Sequence, residues 1–562
     1  MAQTNSTKKR NLKHFLIAVF AIAAINLLSS SYFYRFDMTA EKRYSLTNST
    51  KEFLRELDDV VYFRVYLEGD FPAEFRRLRN QTREMLDEFR AYSRNIQYQF
   101  INPLDASDSR QRQANIQDLV SKGLMPTQLQ VRADDASSQQ VIFPAALVSY
   151  KGYEVPVQLL VDQIGMRSSQ MLNISAQSLE YSLITAIRQL VTTEKPRVAF
   201  LKGIGEPDEI FLSDIKNELE DLYDIENITL ENNYEPLQGL EALIIAEPRN
   251  SFSEEQKFLI DQFVMHGGSC LWLISPVFAD MDSLRVEPET IGMAWPLNLD
   301  DMIFRYGARL NPDLLNDLHA IPIPITTGMI GNQPQISLVS WFFFPMILPE
   351  RKHPIVRNLN ALRTEFVSSI DTVGAPGVNK TILLETSPYT RVLQTPTRIS
   401  LDILHNPPDE ILFRAGSKTV AVLLEGSFES IYRNRIPPSV ILPDDFEVKT
   451  SSVDNKMIVV SDGSIIKNKL DSRGQPLPLG YDRYIDEMFG NRDFVLNAVT
   501  YLANDPEIME ARNKEIRLRP LDRTKVRNDK VFIQMANVLM PVVLLIIFGI
   551  VRSWLRKRKY TK

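Results

Sequence analysis

The sequence is nearly without cysteine: Cys270 is the single one in 562 residues. An internal disulfide framework is therefore excluded, as is a zinc or iron–sulfur centre built on this chain's thiolates. Histidine is almost as scarce. His14, His266, His319, His353 and His405 stand far apart, without metal-ligand spacing. The phosphate-binding pattern G-x-x-x-x-G-K-[ST] is missing, which excludes a P-loop NTPase of that kind. H-E-x-x-H and G-x-S-x-G are missing too. These absences lead us to expect no cofactor and no enzymatic activity.

Acidic residues are absent from both ends. Residues 1–34 carry four basic residues and no acid, and residues 532–562 carry six and no acid. Taking these ten from the chain's 64 basic residues leaves 54 against 70 acidic residues in the middle. An acidic middle argues against a nucleic-acid partner, because neutralising phosphates needs a basic surface. It suits a solvated body held off anionic lipid.

Two uncharged runs stand at the ends. Phe15 to Tyr34 spans 20 residues, about 30 Å as a helix and so the thickness of a hydrocarbon core. Val531 to Val551 is similar in length. Lys8, Lys9, Arg10 and Lys13 precede the first run, and Arg552, Arg556, Lys557, Arg558 and Lys559 follow the second. Basic flanks stay cytoplasmic, so both termini are expected inside and the middle outside. A cleaved signal peptide also fits the first run, but no A-x-A-like site follows. Its apolar part continues into Tyr32, Phe33 and Tyr34, an interfacial aromatic belt. Asn26, Asn537 and Pro541 lie within these helices. They are polar or helix-breaking positions tolerated near an interface, or else contacts to other membrane helices.

The expected order is a basic N-terminus (1–14), a first span (15–34), a first α/β domain (35–192), a second α/β domain (193–505), a charged stalk (506–530), a second span (531–551) and a basic tail (552–562). The first domain begins with a helix capped near Thr47 or Ser49. Strand signals at 60–67, 96–101, 129–133 and 141–150 alternate with helix signals at 73–92, 109–121 and 177–191. The order β-α-β-α-β-β-α resembles the thioredoxin fold, with Pro126-Thr127 where that fold keeps a cis-proline. Its redox cysteines would fall near Glu68–Pro72 and are absent, so no thiol exchange is possible. Another α/β sandwich accounts for the order as well.

In the second domain, continuous apolar strands at 197–201, 242–246 and 269–274 alternate with helices. Ser253 is expected to cap one of these helices, with Gln256 at its third position. The reading is a parallel, doubly covered sheet of flavodoxin or glutamine-amidotransferase type. Strands at 381–385, 420–425 and 457–460 join it late, and about 280–375 is an insertion. Gly203-x-Gly205 follows a strand, but Asp208 replaces the third glycine and Glu206 brings negative charge, so a plain turn is expected. Cys270 starts a strand rather than sitting on a tight turn after one, which marks a buried structural cysteine. Glu247, Glu425 and Asp462 fall at strand ends, where open α/β sheets bind ligands, and could line a crevice with Ser275-Pro276. Solvated loop acids are the plainer alternative. Trp341, Phe342 and Phe343 belong to the most apolar stretch outside the spans, which reads as core or as an exposed partner surface.

Asp37-Met38-Thr39-Ala40-Glu41-Lys42-Arg43-Tyr44-Ser45-Leu46-Thr47 resembles the D-[LM]-T-x-x-[KR]-x-Y-[ST]-L-[ST] segment of ABC-transporter auxiliary proteins. Within that group, Val65–Phe75, Asn102-Pro103, Leu479–Tyr484, Phe489–Phe494 and the Arg512–Asp522 stalk look like the gliding-motility-associated GldG-like branch. The resemblance runs from about residue 35 to 550. It implies a non-catalytic accessory subunit in the bacterial inner membrane, its bulk in the periplasm. Its implied partners are membrane lipid, a permease subunit, an ATPase subunit and an envelope or motility component. It transfers no catalytic residue. A solute- or glycan-binding sensor is the alternative expectation, and a hydrolase relic a third.

Overall fold

The computed structural model describes residues 15–17, 19–22, 45–69, 71–105, 108–133, 136–160, 168–192, 195–330, 333–349, 353–357, 359–404, 406–435, 438–503 and 530–560. The chain falls into two compact units, Met1–Lys514 and Glu515–Lys562. Residues 15–17 and 19–22 are helical and exposed. Asn26, the rest of the 15–34 run and nearly all of the 506–530 stalk lie outside the described residues.

The first α/β region opens with α1 (Asn48–Arg55), whose N-cap Thr47 accepts from Thr50 N. Then come β1 (Val61–Val65), α2 (Ala73–Tyr92), β2 (Ile96–Phe100), α3 (Ser109–Ser121), β3 (Thr127–Ala133), β4 (Ala136–Ile142), β5 (Ala145–Tyr150), β6 (Tyr153–Gln158) and α4 (Ser168–Val191). Alternation along β1 turns Val61, Phe63 and Val65 inward, where they meet Leu86 and Phe89 of α2 and Leu183 and Ile187 of α4. The sheet order is β2-β1-β5-β6, with β1 parallel to β2 and antiparallel to β5. The 129–133 strand is not in this sheet. It pairs with β4 as a separate two-stranded ribbon, so Pro126 precedes the ribbon and Pro144 precedes the sheet's third strand. The single strand expected at 141–150 breaks at Phe143-Pro144, because proline cannot donate to a ladder.

The second region begins with β7 (Arg197–Lys202), α5 (Ser213–Glu220), β8 (Asp224–Thr229), β9 (Ala242–Ala246), α6 (Glu254–Met265) and β10 (Ser269–Leu273). Ser253 caps α6 in a full capping box: Ser253 Oγ accepts from Gln256 N at 3.2 Å, and Gln256 Oε1 accepts from Ser253 N at 3.1 Å. The chain then leaves the sheet through β11 (Val277–Phe278), β12 (Glu289–Ala294), α7 (Asp300–Tyr306), β13 (Ala308–Leu310), β14 (Asp313–Asp317), β15 (Ala320–Ile330), β16 (Gln333–Ile347), β17 (Leu362–Arg363) and β18 (Ile370–Thr372). It returns with β19 (Val378–Glu385), departs for β20 (Thr390–Gln394) and β21 (Thr397–Ser400), and closes with β22 (Thr419–Glu429), β23 (Ser451–Val460) and α8 (Asn491–Leu502). Because β20 pairs with β14 and β21 with β12, the inserted structure reaches past residue 375.

The large sheet has seven strands in the order β19-β22-β23-β10-β9-β7-β8. It is mixed rather than parallel: β22 runs antiparallel to both β23 and β19. Cys270 and Trp272 face α6 together with Leu243, Ile245 and Val459. Leu271 and Leu273 face α5 and α8 together with Ile244 and Val460. Both faces are covered, which is why these strands lack polar alternation.

In the second unit, α9 (Lys530–Tyr560) runs unbroken through Pro541. Its stretch Asn537–Arg558 has a mean hydropathy of 2.3 and no buried residue, so it is long and apolar enough to cross a membrane. Asn537 is exposed on this helix.

Candidate functional site

Five parallel strands, β8, β7, β9, β10 and β23, end at the same edge of the large sheet, where α/β proteins usually bind ligands. After β7, Gly203 and Gly205 turn the chain at φ +83° and +77°. A phosphate bound there would take the turn's amides. Instead Ile204 N donates to Glu206 Oε2 at 3.0 Å, while Arg249 N and Asn250 N both donate to Ile204 O. The chain's own carboxylate thus fills the turn.

After β9, Glu247 holds a left-handed backbone at φ +44° and is buried. Lys467 Nζ lies 2.8 Å from its Oε2, and Arg249 lies 3.6 Å from the same oxygen. After β10, Ser275 Oγ accepts from Gly463 N at 2.9 Å. After β23, Asp462 Oδ1 accepts from Ser464 N at 2.8 Å and Oδ2 from Glu365 N at 2.9 Å. Asp462 is 1 % exposed, and burial pushes its carboxyl up to about 7 against those two donors.

Glu365 beside it goes the other way. Burial opposes its charge, but Lys469 at 2.5 Å and Arg363 at 3.1 Å outweigh burial and hold the carboxyl down at about 2. Arg363 is also paired with Asp482. Lys467, Lys469, Arg363 and Glu365 surround only about 10 Å³ of free space, room for roughly one water. Titratable groups therefore gather at the strand ends, as in a ligand site, but they neutralise one another.

Glu247, Ser275 and Asp462 come together here, whereas Glu425 does not. Since β22 is antiparallel, Glu425 stands opposite Lys456 of β23, level with the start of β10 and so toward the other edge of the sheet. Its Oε1 accepts from Tyr501 Oη at 2.5 Å. Cys270 is wholly buried in β10 between Leu243 and Met457, and burial pushes its thiol far up. Trp341 and Phe343 are 0 % and 1 % exposed in a cluster with Ile321, Ile323 and Phe366, so they form core and no exposed edge. Phe342 points to the opposite side, half-buried against Phe413 with ring centres 5.5 Å apart. Arg363, Glu365, Lys467 and Lys469 were not singled out from the sequence. They lie in segments far apart in the chain, without a local motif.

A different concavity is open. A groove of about 800 Å³ lies between α7, the residues following β12 and the segment 374–378. Its lining mixes apolar side chains such as Trp295, Leu299 and Ile303 with a charged rim.

Comparison with known proteins bears on both regions. A family model described as a domain of unknown function (DUF7088) matches residues 40–149. No curated protein matches the chain. A solved structure titled mmIFT52 N-terminal domain aligns over 57 % of this chain and 100 % of its own at 13 % identity and a TM-score of 0.30. The family model described as ABC-type uncharacterized transport system matches residues 195–498, more than half of the chain and all seven strands of the large sheet. The chain therefore belongs to the ABC-transporter auxiliary family and has an accessory role in an ABC transport system.

Proposed function

We propose that this accessory role is non-catalytic and membrane-bound, in a GldG-like complex of the gliding-motility kind. In this reading the chain contacts a permease and an ATPase, and its α/β body couples their ATP-driven motion to an envelope partner. The observation that carries it is the self-neutralised strand edge. Lys467 answers Glu247, Lys469 and Arg363 answer Glu365, and Asp462 accepts from backbone amides. Among the described residues no acid there is left with both a free face and an open space, which general acid–base work requires.

The first region supports the same reading. Its order β2-β1-β5-β6 with antiparallel β5 is the strand order of a thioredoxin-like scaffold, and the chain has no cysteine there. Such a scaffold offers surface and no redox chemistry. The basic flanks of the two apolar runs support the part of this reading that puts both termini in the cytoplasm. A sensor using the strand-end crevice is disfavoured, because Lys467 closes on Glu247 and backbone amides take both oxygens of Asp462.

The experiment is affinity purification of the full chain in mild detergent from its native membrane, with mass spectrometry of what accompanies it. The expected result is stoichiometric recovery of a permease and an ATPase. Recovery of the chain alone overturns the reading.

A further inference from the structure

We propose that the open groove beside α7 is a binding site for a small amphipathic anion, an apolar or aromatic body with one carboxylate-like head. Its volume of about 800 Å³ falls within the range of small-molecule sites. Leu299 and Ile303 of α7, Leu310 of β13 and Val378 of β19 give it an apolar floor. Trp295 stands on one side, half-buried, its ring edge-on to Phe278 at 5.1 Å. Phe304 on the same groove is 51 % exposed. A concave apolar floor flanked by two accessible aromatic rings is the surface an apolar body would desolvate.

The charges on the rim decide the head group. Arg305 is paired with Glu429 at 2.7 Å, and Arg435 with Asp301 at 2.7 Å. Asp301 also takes Lys257 at 2.8 Å. Asp300 lies in the first turn of α7, where a carboxylate offsets the exposed amides of a helix start. Arg309 is the exception. It lies in β13 and lines the groove; Asp371 stands opposite it in the β13–β18 ladder but accepts from Asn311 Nδ2 at 3.0 Å, and among the described residues the Arg309 guanidinium makes no hydrogen bond or ion pair. A guanidinium fork above an apolar floor matches a planar oxyanion carried on an apolar body. The inference is independent of the coupling role, since the groove is separate from the strand-end network.

The test uses the full chain in lipid nanodiscs and phenylbutyrate as the probe, titrated by ligand-observed NMR with empty discs subtracted. Phenylbutanol and phenylbutylamine are the neutral and cationic controls. Saturable phenylbutyrate binding with a Kd at or below about 1 mM is expected. The alcohol should bind about tenfold more weakly, and Arg309→Gln should weaken phenylbutyrate by a similar factor. Gly374→Trp should abolish binding. A side chain at Gly374 meets no atom within 4 Å and so enters open space over the groove. Circular dichroism should show both variants folded. Absence of saturable binding, equal binding of the amine, or binding unchanged in both variants overturns the proposal.

Discussion

Replacing Trp341 with alanine should separate a core from a docking surface. The side chain is fully buried, with its ring centre 5.2 Å from that of Phe343. Burying a tryptophan removes about 150–250 Å² from water, worth roughly 4–6 kcal/mol at 25 cal/mol per Å². One term opposes this. Trp341 Nε1 is buried without a hydrogen-bond partner, which costs the tryptophan about 1–3 kcal/mol. The net loss for Trp341→Ala is therefore about 3 kcal/mol, at the low end of aromatic truncations. Trp341→Phe sheds the orphan N–H along with some area and should stay within about 1.5 kcal/mol of the parent. Phe342→Ala, half-buried, should cost no more than about 1 kcal/mol. The assay is proteolytic susceptibility against urea for the full chain in nanodiscs, which needs no two-state assumption across several regions. If Trp341→Ala leaves the midpoint unchanged while abolishing recovery of partner subunits, the residue docks a partner and the packing argument is wrong.

The acids at the strand edge predict a pH dependence. The folded chain raises the Asp462 pKa to about 7, so its contribution is full below the ordinary value of 3.8 and is lost as pH rises through 7. From about pH 5 to pH 8 the loss should reach at most about 3 kcal/mol, and thermal midpoints of wild type and Asp462→Asn should diverge over that range. Parallel slopes for the two proteins would remove the basis for the shift. Glu365, held at about 2, works in the opposite sense: its contribution is present above 4.5 and disappears only as pH falls toward 2. Gly463→Ala should destabilise by about 1–3 kcal/mol, because its Cβ would come 2.6 Å from Glu247 Cβ. Chemical denaturation compared with Gly374→Ala, where a Cβ meets nothing within 4 Å and the backbone is not left-handed, reads the difference apart from the general change in backbone freedom. Cys270 should resist a thiol reagent in the native chain and react fully once unfolded. Fast native labelling would reopen the question of a catalytic thiol.

What the sequence makes legible follows the range of the forces involved. The α6 cap is local: Ser253 and Gln256 satisfy each other within four residues, so the capping box is readable residue by residue. The continuous apolar strands at 420–425 and 457–460 report burial on two faces, and the large sheet indeed contains both. Direction is another matter. A buried strand has the same composition whichever way it runs, so antiparallel β22 is indistinguishable from its parallel neighbours, and Glu425 falls on the wrong edge for that reason alone. β6 is silent for a different cause. Tyr153–Gln158 alternates Tyr153, Val155 and Val157 with Glu154, Pro156 and Gln158, but it is a short edge strand, and Pro156 inside it argues against a strand when the sequence is read alone.

The same distinction separates the two concave places in the molecule. Glu247 and Asp462 are detectable because strand ends are predictable from strands, yet their chemistry is set by Lys467, Arg363 and Glu365, which reach the edge from segments 97 or more residues away from one of their partners. The groove beside α7 has still less of a local signature. Its floor draws on residues near 299, 310 and 378, and its rim cations differ only in which acid stands opposite. Arg305 and Arg309 sit four residues apart and read alike in the sequence. One is neutralised by Glu429, brought past α7 by β22; the other stands opposite Asp371 in the β13–β18 ladder, makes no ion pair with it and lines the groove. Function at such a place rests on the charge the fold leaves without a counterpart, and no property of the arginine itself discloses it.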